Sequence, residues 1–223
     1  MRVFIMPGHT LSGAGTGAVG HINEGEQNRV LTEKIVYWLK QGGADVVTNK
    51  LDKAKTSSYL AEQVALCNNL PKFDVVVQIH FNAGSSDRDS NTTGTETWYY
   101  NDAGKVYADR VNQKLGSHFR VRGSKQSTGL YWLKHTRDTA ILIETCFVDD
   151  KDDANVYNAN KDCIGKDIAE AILGKNIETS TPPESKIFYR VVSGSYNDRN
   201  NADKTVQELK DKGYDAFIDI YKK

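Results

Sequence analysis

The sequence predicts an α/β fold, a mostly parallel twisted sheet with helices on both faces, followed by a small C-terminal β-α-β unit. Short apolar segments alternate with segments of helical periodicity through the first 174 residues, an order typical of a parallel sheet covered by helices. The run at Phe73–His80 is apolar without alternation, as expected of a strand buried on both faces. Near the C-terminus, a segment rich in proline, serine and threonine separates these residues from a short tail.

The first predicted strand, Arg2–Met6, is apolar and is followed by a helix at Glu24–Gln41. Apolar side chains of this helix recur at helical spacing on one face: Leu31, Ile35, Trp38 and Leu39. Two consecutive glycines, Gly42 and Gly43, then end the helix. The remaining elements alternate in the same way, with strands at Ala44–Asn49, Phe73–His80, Thr95–Tyr100 and Ala140–Val148 and helices at Thr56–Asn69, Gly104–Phe119 and Lys161–Leu173.

The chain is predicted to divide into a large domain at residues 1–174, a linker at 175–186 and a C-terminal repeat at 187–223. The linker contains two of the four prolines. In the repeat, strands are predicted at Ile187–Ser193 and Tyr214–Tyr221, on either side of a helix at Asn200–Lys212.

Composition excludes several classes of partner. The 29 basic and 29 acidic residues balance, which argues against nucleic acid and against an anionic membrane surface as main partners. The longest apolar runs fall well short of the ~20 residues of a membrane helix. The chain passes from Met1 directly into a strand, so we expect no signal peptide. Three cysteines with no close pair predict neither a disulfide framework nor a cysteine zinc cluster, so any metal must be held by histidine and carboxylate.

Three residues that are costly to bury lie at or near the ends of apolar strands: His9, His80 and Glu144. The carboxyl ends of parallel strands meet at one edge of a sheet, so these side chains can converge there. Each also has a structural interpretation, the histidines as satisfied core residues and Glu144 as the partner of a buried cation. Together the two histidines are a candidate pair of zinc ligands.

A zinc site needs a third protein ligand, and the segment at residues 21–28 offers candidates. Asn23 is a good N-cap, which gives Glu26 the spacing of a capping box. Glu24, at the first helical position, is then free to turn towards the sheet edge and is favoured. His21 is the alternative.

The acidic run Asp149–Asp153 follows the predicted strand that contains Glu144. It lacks the spacing of a calcium loop and is predicted to be a solvated turn.

Five motifs occur in the order typical of one enzyme family. They are Met6-Pro-Gly-His9, Glu24-x-x-x-Asn28, Gln78-Ile-His-Phe-Asn-Ala83, Gly94-Thr-Glu-Thr-Trp-Tyr-Tyr100 and Ile143-Glu-Thr-Cys-Phe147. Residues 1–173 thereby resemble the amidase-3 type of zinc-dependent N-acetylmuramoyl-L-alanine amidases, found as bacterial wall hydrolases and phage endolysins.

The resemblance implies a role for each matching residue. His9, Glu24 and His80 would hold Zn²⁺, Glu144 would be the catalytic glutamate, and Asn28 and Asn82 would support the ligands. Thr10 stands where many members have glycine, which bears on the shape of the substrate groove.

The tail resembles one repeat of the SPOR-type peptidoglycan-binding module, about half of the usual module. A single repeat of about 37 residues would leave strand edges open and is too short for a good core. We therefore expect two chains to pair their tails in a homodimer. A small accessory unit that packs on the catalytic domain is the alternative.

The resemblance implies hydrolysis of the amide between N-acetylmuramic acid and L-alanine in peptidoglycan, causing wall lysis. Two alternatives remain open, a zinc peptidase that cuts within stem peptides and a non-catalytic wall-binding protein. Without an export signal, the protein would reach the wall after lysis or through a membrane hole, either as a phage endolysin or as a host autolysin.

Overall fold

A computed structural model describes residues 1–84, 91–178 and 194–218. Contacts divide the chain into two compact units, Met1–Glu178 and Thr179–Lys223. The described part of the first unit contains strands β1 (Arg2–Pro7), β2 (Asp45–Thr48), β3 (Val75–Asn82), β4 (Thr95–Tyr99), β5 (Val121–Gln126) and β6 (Ala140–Phe147). Its helices are α1 (Glu24–Gln41), α2 (Tyr59–Asn68), α3 (Asp102–Leu115), α4 (Tyr131–His135) and α5 (Lys151–Leu173).

The six strands form one sheet in the order β2-β1-β3-β6-β4-β5. The first four of these are parallel to one another, whereas β4 runs antiparallel to β6 and β5 runs parallel to β4. The predicted fold class is therefore confirmed. β2 lies on one side of β1 and β3 lies on the other, so the strand order reverses between β1 and β3. Sheets of the α/β class bind ligands at such a switch point, beside the carboxyl ends of the two strands.

Alternate side chains of the central strands enter two separate hydrophobic layers. One layer packs against α1, α3 and α5 and includes the strand residues Val3, Ile5, Val75, Val77, Ile79, Ile141 and Ile143. The other packs against α2 and α4 and includes Phe4, Met6, Val76, Ala140 and Leu142. By the same alternation, His80 and Glu144 project from the face that α2 and α4 cover.

Two elements of the first unit were not predicted, and a third begins earlier than predicted. β5 has an edge position and the polar sequence VRGSKQ, so it carries no apolar alternation. α4 has five residues, too few to show helical periodicity. α5 begins at Lys151 rather than Lys161, because Asp150 caps it, and Asn160 interrupts its helical backbone with φ −126°.

The prediction of a solvated turn at the acidic run is wrong. Asp150 is 1 % exposed and its Oδ1 accepts hydrogen bonds from the backbone of Asp152 and Asp153, capping α5. Asp153 is fully buried, and its Oδ2 accepts from the backbone N–H of Gly94 at 3.1 Å and of Phe147 at 2.8 Å. The run therefore ties the beginning of β4 and the end of β6 to α5.

Replacing Asp153 by asparagine is expected to remove a pH-dependent loss of stability. Burial raises the pKa of Asp153 to about 6, against the hydrogen bonds from Phe147 and Gly94. The folded state thus binds this proton more tightly than the unfolded chain, so its stabilising contribution is full below pH ~4 and is lost as the pH rises through about 6. Denaturant unfolding should find Asp153→Asn more stable than wild type by roughly 1–2 kcal/mol at pH 8, with no gain at pH 4.

Asp152→Asn is the matched control, because Asp152 is the preceding carboxylate in the same helical turn and is less buried. It should leave the pH dependence of the unfolding free energy as in wild type. Parallel stability curves for wild type and Asp153→Asn across this pH range would contradict the prediction.

The second unit contains one helix in its described residues, α6 (Arg199–Asp211), within one residue of the predicted bounds at each end. Asp198 caps it by accepting from the backbone N–H of Asn200. The first predicted strand of the tail lies outside the described residues, and residues 214–218, part of the second, are not in a strand. Among the described helices, none has the length and apolarity required to cross a bilayer.

The first residues of the predicted linker continue the first unit. Ile177 is 4 % exposed within the core layer of α1, α3 and α5, and its backbone N–H donates to Glu170 Oε1. Lys114 also donates to Asn176. Residues 175–178 therefore pack on the first unit, whereas 179–186 lie outside the described residues.

Candidate metal centre and active site

Three side chains from distant parts of the sequence meet beside the carboxyl ends of β1 and β3. Glu24 Oε1 lies 3.1 Å from His9 Nε2 and 3.1 Å from His80 Nδ1. One ligand atom from each of these residues lies within 4.8 Å of the others. The side chains of His9, Glu24 and His80 are 21, 4 and 12 % exposed, so the cluster is largely enclosed but open to solvent at His9.

The backbone around His9 is fixed from several sides. His9 adopts φ +58°, a left-handed conformation that is uncommon for residues other than glycine. Its carbonyl oxygen accepts from Gln63 Nε2 at 3.3 Å and from Arg29 Nη2 at 3.4 Å. Asn28 Nδ2 donates to the preceding carbonyl of Gly8 at 3.2 Å. These bonds from α1 and α2 hold the backbone in a conformation that directs the imidazole at Glu24.

Glu24 is held by α1 and by the neighbouring loops. Asn23 Oδ1 caps α1 by accepting from the backbone N–H of Glu26, which leaves Glu24 at the first helical position. Glu24 Oε2 accepts from the backbone N–H of Ala18 at 2.9 Å, and Oε1 accepts from that of Phe81 at 3.1 Å. Glu26 is exposed. Of the two glutamates, the structure brings Glu24 to the histidines.

The outward-facing nitrogens of both imidazoles lie against hydrogen-bond acceptors. His9 Nδ1 lies 2.9 Å from the carbonyl oxygen of Gly15, which can only accept. His80 Nε2 lies 3.1 Å from Gln78 Oε1, and the amide of Gln78 is oriented by its donation to Gln63 Oε1 at 3.1 Å. When these outward nitrogens hold the proton of a neutral ring, His9 Nε2 and His80 Nδ1 present lone pairs to the space beside Glu24; in the protonated ring the same atoms donate to Glu24.

This donor set fits a metal cation. Two imidazole lone pairs and a carboxylate oxygen face one another at close range, and they repel unless a proton or a cation lies among them. Two nitrogens and one oxygen form a ligand set that divalent transition metals accept. The outward hydrogen bonds to Gly15 and Gln78 fix the ring orientations that such an ion requires.

The electrostatics of the three groups are coupled. Burial alone would lower the pKa of both histidines; for His9 the hydrogen bond and charge of Glu24 outweigh burial and raise the pKa. For the more deeply buried His80, burial prevails and the pKa is lowered. Burial alone would raise the pKa of Glu24, but its bonds to His80 and His9 hold it well below the usual range. Glu24 is therefore a carboxylate throughout the physiological range.

Glu144 lies on the strand next to the cluster. In the parallel β3–β6 pair it is opposite His80, so both side chains project from the same face of the sheet. Its Oε2 is shielded from solvent and has no hydrogen-bond partner among the residues that the structure describes. Burial, together with the charges of Glu24 and Glu96, raises the pKa of Glu144 to about 8. The site thus combines three inward-facing ligand atoms with a neighbouring carboxyl group that holds a proton readily.

Comparison with known proteins assigns the chain to a family. A sequence model described as N-acetylmuramoyl-L-alanine amidase matches residues 3–174. The chain belongs to the N-acetylmuramoyl-L-alanine amidase family. A SPOR-domain model matches residues 167–219, so the predicted resemblances of both parts are confirmed. The SPOR match begins within α5, whose last turns belong to the core of the first unit.

Relatives of this family member include an uncharacterised protein of Clostridium perfringens, 35 % identical over 194 residues that cover 83 % of this chain and 56 % of that protein. The chain spans about half the length of this relative and of a second protein from C. perfringens, of which it covers 54 %. The sporulation-specific N-acetylmuramoyl-L-alanine amidase of Bacillus subtilis is 25 % identical over 234 residues, covering 98 % of this chain and 84 % of that protein.

Solved amidase structures share the fold of this family member. The catalytic domain of the CD27L endolysin, described as targeting Clostridia difficile, superimposes with a TM-score of 0.72 at 32 % identity, covering 80 % of this chain and 99 % of that one. An N-acetylmuramoyl-L-alanine amidase of Clostridium difficile 630 superimposes with a TM-score of 0.64 at 28 % identity, covering 78 % and 95 % of the two chains.

The remaining predicted residues take other positions. His21 is exposed, lies outside the three-residue cluster, and donates its backbone N–H to Val148 O. Asn28 supports the backbone before His9, as predicted for a supporting residue. Asn82 instead donates to Glu96 Oε1 at 3.2 Å and so supports the side of the site next to Glu144.

Sequence reasoning missed Gln63, Gln78 and Glu96, all of which are buried. A signal for Gln78 existed, because an amide within the apolar run Val75–Ile79 must find hydrogen-bond partners. Gln63 had no such signal, since its partners are Gln78 and the carbonyl of His9, which are distant in sequence.

Replacing Gln78 by methionine is expected to weaken metal binding by ~10–100-fold. Methionine fills a similar volume but offers no amide oxygen to His80 Nε2–H, so the ring loses its fixed tautomer and orientation. Competition with a chromophoric chelator measures the dissociation constant directly. Gln126→Met is the matched control, because Gln126 is exposed and its side-chain amide donates to Tyr100 O, away from the metal site. Equal metal affinities for the two variants would contradict this role of Gln78.

Proposed function

We propose that this chain is a zinc-dependent amidase that hydrolyses the bond between N-acetylmuramic acid and L-alanine in peptidoglycan. The observation that carries the proposal is the convergence of His9 Nε2, Glu24 Oε1 and His80 Nδ1 beside Glu144 in a member of the amidase family. The names of relatives and of the SPOR match support a wall substrate. Its place of action would be the cell wall.

Zn²⁺ would be held by His9 Nε2, Glu24 Oε1 and His80 Nδ1. Two neutral imidazoles and one carboxylate leave part of the charge of the ion uncompensated. When bound, zinc supplies Lewis acidity, which polarises a carbonyl group and acidifies water. The hydrogen bonds from Ala18 and Phe81 to Glu24 keep that carboxylate in position.

Glu144 would move the proton of the reaction. Its carboxylate accepts a proton from the attacking water as the water oxygen bonds to the carbonyl carbon of the lactyl group. The resulting carboxylic acid donates that proton to the nitrogen of L-alanine as the C–N bond breaks. The immediate products are the carboxylic acid of the muramic lactyl group and a neutral amino terminus, and Glu144 ends in its initial state. The second proton of the water then passes from the acid to the amine through solvent, giving a carboxylate and an ammonium group. Within the described part of the chain no hydrogen bond occupies Oε2, which leaves this oxygen free to take up and release the proton.

Mass spectrometry of purified peptidoglycan after digestion tests the proposal. Zinc-loaded full-length chain should release peptides with amino-terminal L-alanine, a chelator should stop the release, and added zinc should restore it. If the new amino terminus instead lay within the stem peptide, the protein would be a peptidase and not an amidase. If the protein bound zinc and sedimented together with the peptidoglycan but cleaved nothing, it would be a non-catalytic wall-binding protein.

For the tail we propose that it binds glycan and pairs with the tail of a second chain. α6 carries Ala202, Val206 and Leu209 along one side, and in the described residues of the tail Phe217 is 71 % exposed. The three helix residues are half-buried, and we propose that this apolar side packs against a second copy. Sedimentation velocity should find the full chain as a dimer at micromolar concentration and Leu209→Asp as a monomer. A monomeric wild-type chain would contradict pairing. Unchanged wall binding by monomeric Leu209→Asp would show that glycan recognition does not depend on pairing.

A further inference from the structure

A buried carboxylate next to Glu144 is held by two cations. Glu96 lies opposite Glu144 in the antiparallel β4–β6 pair, and its side chain is 4 % exposed. Glu96 Oε2 accepts from Arg122 Nε at 2.8 Å and from Lys125 Nζ at 2.5 Å. Among these three side chains, two positive charges therefore meet one negative charge. The carboxyl groups of Glu144 and Asp153 also feel the charges of Lys125 and Arg122, respectively, but neither forms an ion pair with them in the described residues.

Both cations retain donors for another ligand. Their side chains are 34 and 33 % exposed, so each reaches solvent beyond Glu96. In the part of the chain that the structure describes, Arg122 uses only Nε for hydrogen bonding, so Nη1 and Nη2 remain to bind an anion with the planar geometry that matches a carboxylate.

The two cations are also fixed before any ligand binds. The guanidinium of Arg122 lies 4.9 Å from the ring centroid of Phe147, and Lys125 Nζ lies 5.2 Å from that of Trp98. These contacts, together with Glu96, restrict two long side chains that would otherwise lose much conformational freedom on binding. One cation would be enough to neutralise Glu96, whereas two preorganised cations lie here.

The location of the pair indicates which part of a substrate it meets. His80, Glu144 and Glu96 follow one another across β3, β6 and β4, and Arg122 and Lys125 come next on β5. The metal ligands thus lie on one side of Glu144 and the cations on the other. Because Glu144 protonates the leaving amine in the proposed function, the peptide that carries this amine extends towards β5.

We infer that Arg122 and Lys125 form a subsite for a free carboxylate on the second residue of the stem peptide, the residue that follows L-alanine. This inference rests on the proposed function. It makes the chain selective for peptides that carry an acid at this position over peptides in which the acid is a carboxamide, because a neutral amide leaves the excess positive charge unmatched.

Two small substrates test the subsite. N-acetylmuramyl-L-alanyl-D-glutamate γ-methylamide carries a free α-carboxylate, and N-acetylmuramyl-L-alanyl-D-isoglutamine γ-methylamide carries a carboxamide in its place. In both compounds the γ-carboxyl group is blocked as an amide, as it is in the wall, so the α-substituent is the single difference. Zinc-loaded wild type should cleave the acid with a kcat/KM about tenfold higher, mainly through KM, the size expected of one charge-assisted hydrogen bond that is partly exposed. Arg122→Gln should reduce this ratio to about 1–3, mainly through a higher KM for the acid.

Arg120→Gln is the matched control, since Arg120 is an exposed cation two residues away that should contribute only long-range charge. It should keep the preference for the acid. Lys125→Gln replaces Arg122→Gln should the latter lower the thermal unfolding temperature strongly. The product dipeptides, titrated against zinc-loaded protein by isothermal calorimetry, give the same comparison without turnover.

Equal kcat/KM and equal dipeptide affinity for acid and amide in wild type would overturn the subsite and leave the amidase proposal standing. A retained preference in Arg122→Gln, or one lost equally in Arg120→Gln, would also overturn it. Cleavage of neither substrate by zinc-loaded protein would contradict the proposed function, and the dipeptide titration would then still decide the subsite.

Discussion

Replacing Glu144 by glutamine is expected to lower kcat/KM on peptidoglycan by ~10²–10⁴-fold while zinc binding is retained. Glutamine has the same shape but cannot accept the proton of water or deliver it to the leaving amine. Its removal leaves the ligands intact, because Glu144 lies outside the cluster of His9, Glu24 and His80. Lysis of cell walls measures the activity, and zinc content per chain measures the site.

The same substitution is expected to preserve or increase stability. The pKa of Glu144 is raised to about 8 by burial and by Glu24 and Glu96, so the folded state binds this proton more tightly than the unfolded chain. Its stabilising contribution is full below pH ~4 and is lost as the pH rises through about 8. Metal-free Glu144→Gln should therefore unfold at or above the wild-type temperature at pH 9.

Glu26→Gln is the control for this experiment, because Glu26 is exposed and near the same site but belongs to no ligand cluster in the described residues. It should retain wild-type activity. A Glu144→Gln variant that binds zinc and clears walls at the wild-type rate would refute the proton-transfer role.

Replacing Gly8 by alanine is expected to abolish metal binding. A Cβ atom at Gly8 would overlap the imidazole ring of His80, which is also held by Gln78 and Glu24. The His80 ring must therefore move, and its Nδ1 atom is no longer held beside Glu24 Oε1. Overpacking of this kind costs roughly 1–3 kcal/mol of unfolding free energy. Activity should fall to the level of chelator-treated wild type, and zinc content should approach zero after dialysis.

The chain offers a matched glycine for this test. A Cβ atom at Gly129 would meet nothing within 4 Å, and Gly129 does not have a positive φ. Gly129→Ala should therefore retain zinc and activity. If Gly8→Ala folded with full zinc content, the close packing between the turn after β1 and His80 would not be required for the site.

Glu24, the candidate third ligand, shows how far local sequence signals reach. Asn23 and Glu26 have the spacing of a helix cap, and that pattern alone favours Glu24 over Glu26 as the residue that turns towards the sheet edge. In the structure Asn23 accepts from the backbone N–H of Glu26, and Glu24 contacts both histidines. The choice was predictable because capping depends on residues within one helical turn.

Asp153 and β5 show where local signals fail. A run of acidic residues near a strand end is usually solvated, yet Asp153 is buried because Gly94 and Phe147 bring their N–H groups to it. The polar sequence of β5 does not predict a strand, and its pairing with β4 depends on the edge position in the sheet. Both outcomes depend on partners that are distant in sequence.

The sequence by itself determined the α/β class, the core helices and strands, and the four residues of the candidate site, because apolar periodicity, capping and ordered motifs are properties of neighbouring residues. The tertiary structure decided which nitrogen of each histidine faces Glu24, how Gln78 and Gln63 fix them, and that Glu96 brings Arg122 and Lys125 to Glu144. These features arise from hydrogen bonds and ion pairs between separate elements, whose positions follow only from the packing of the whole sheet and its helices.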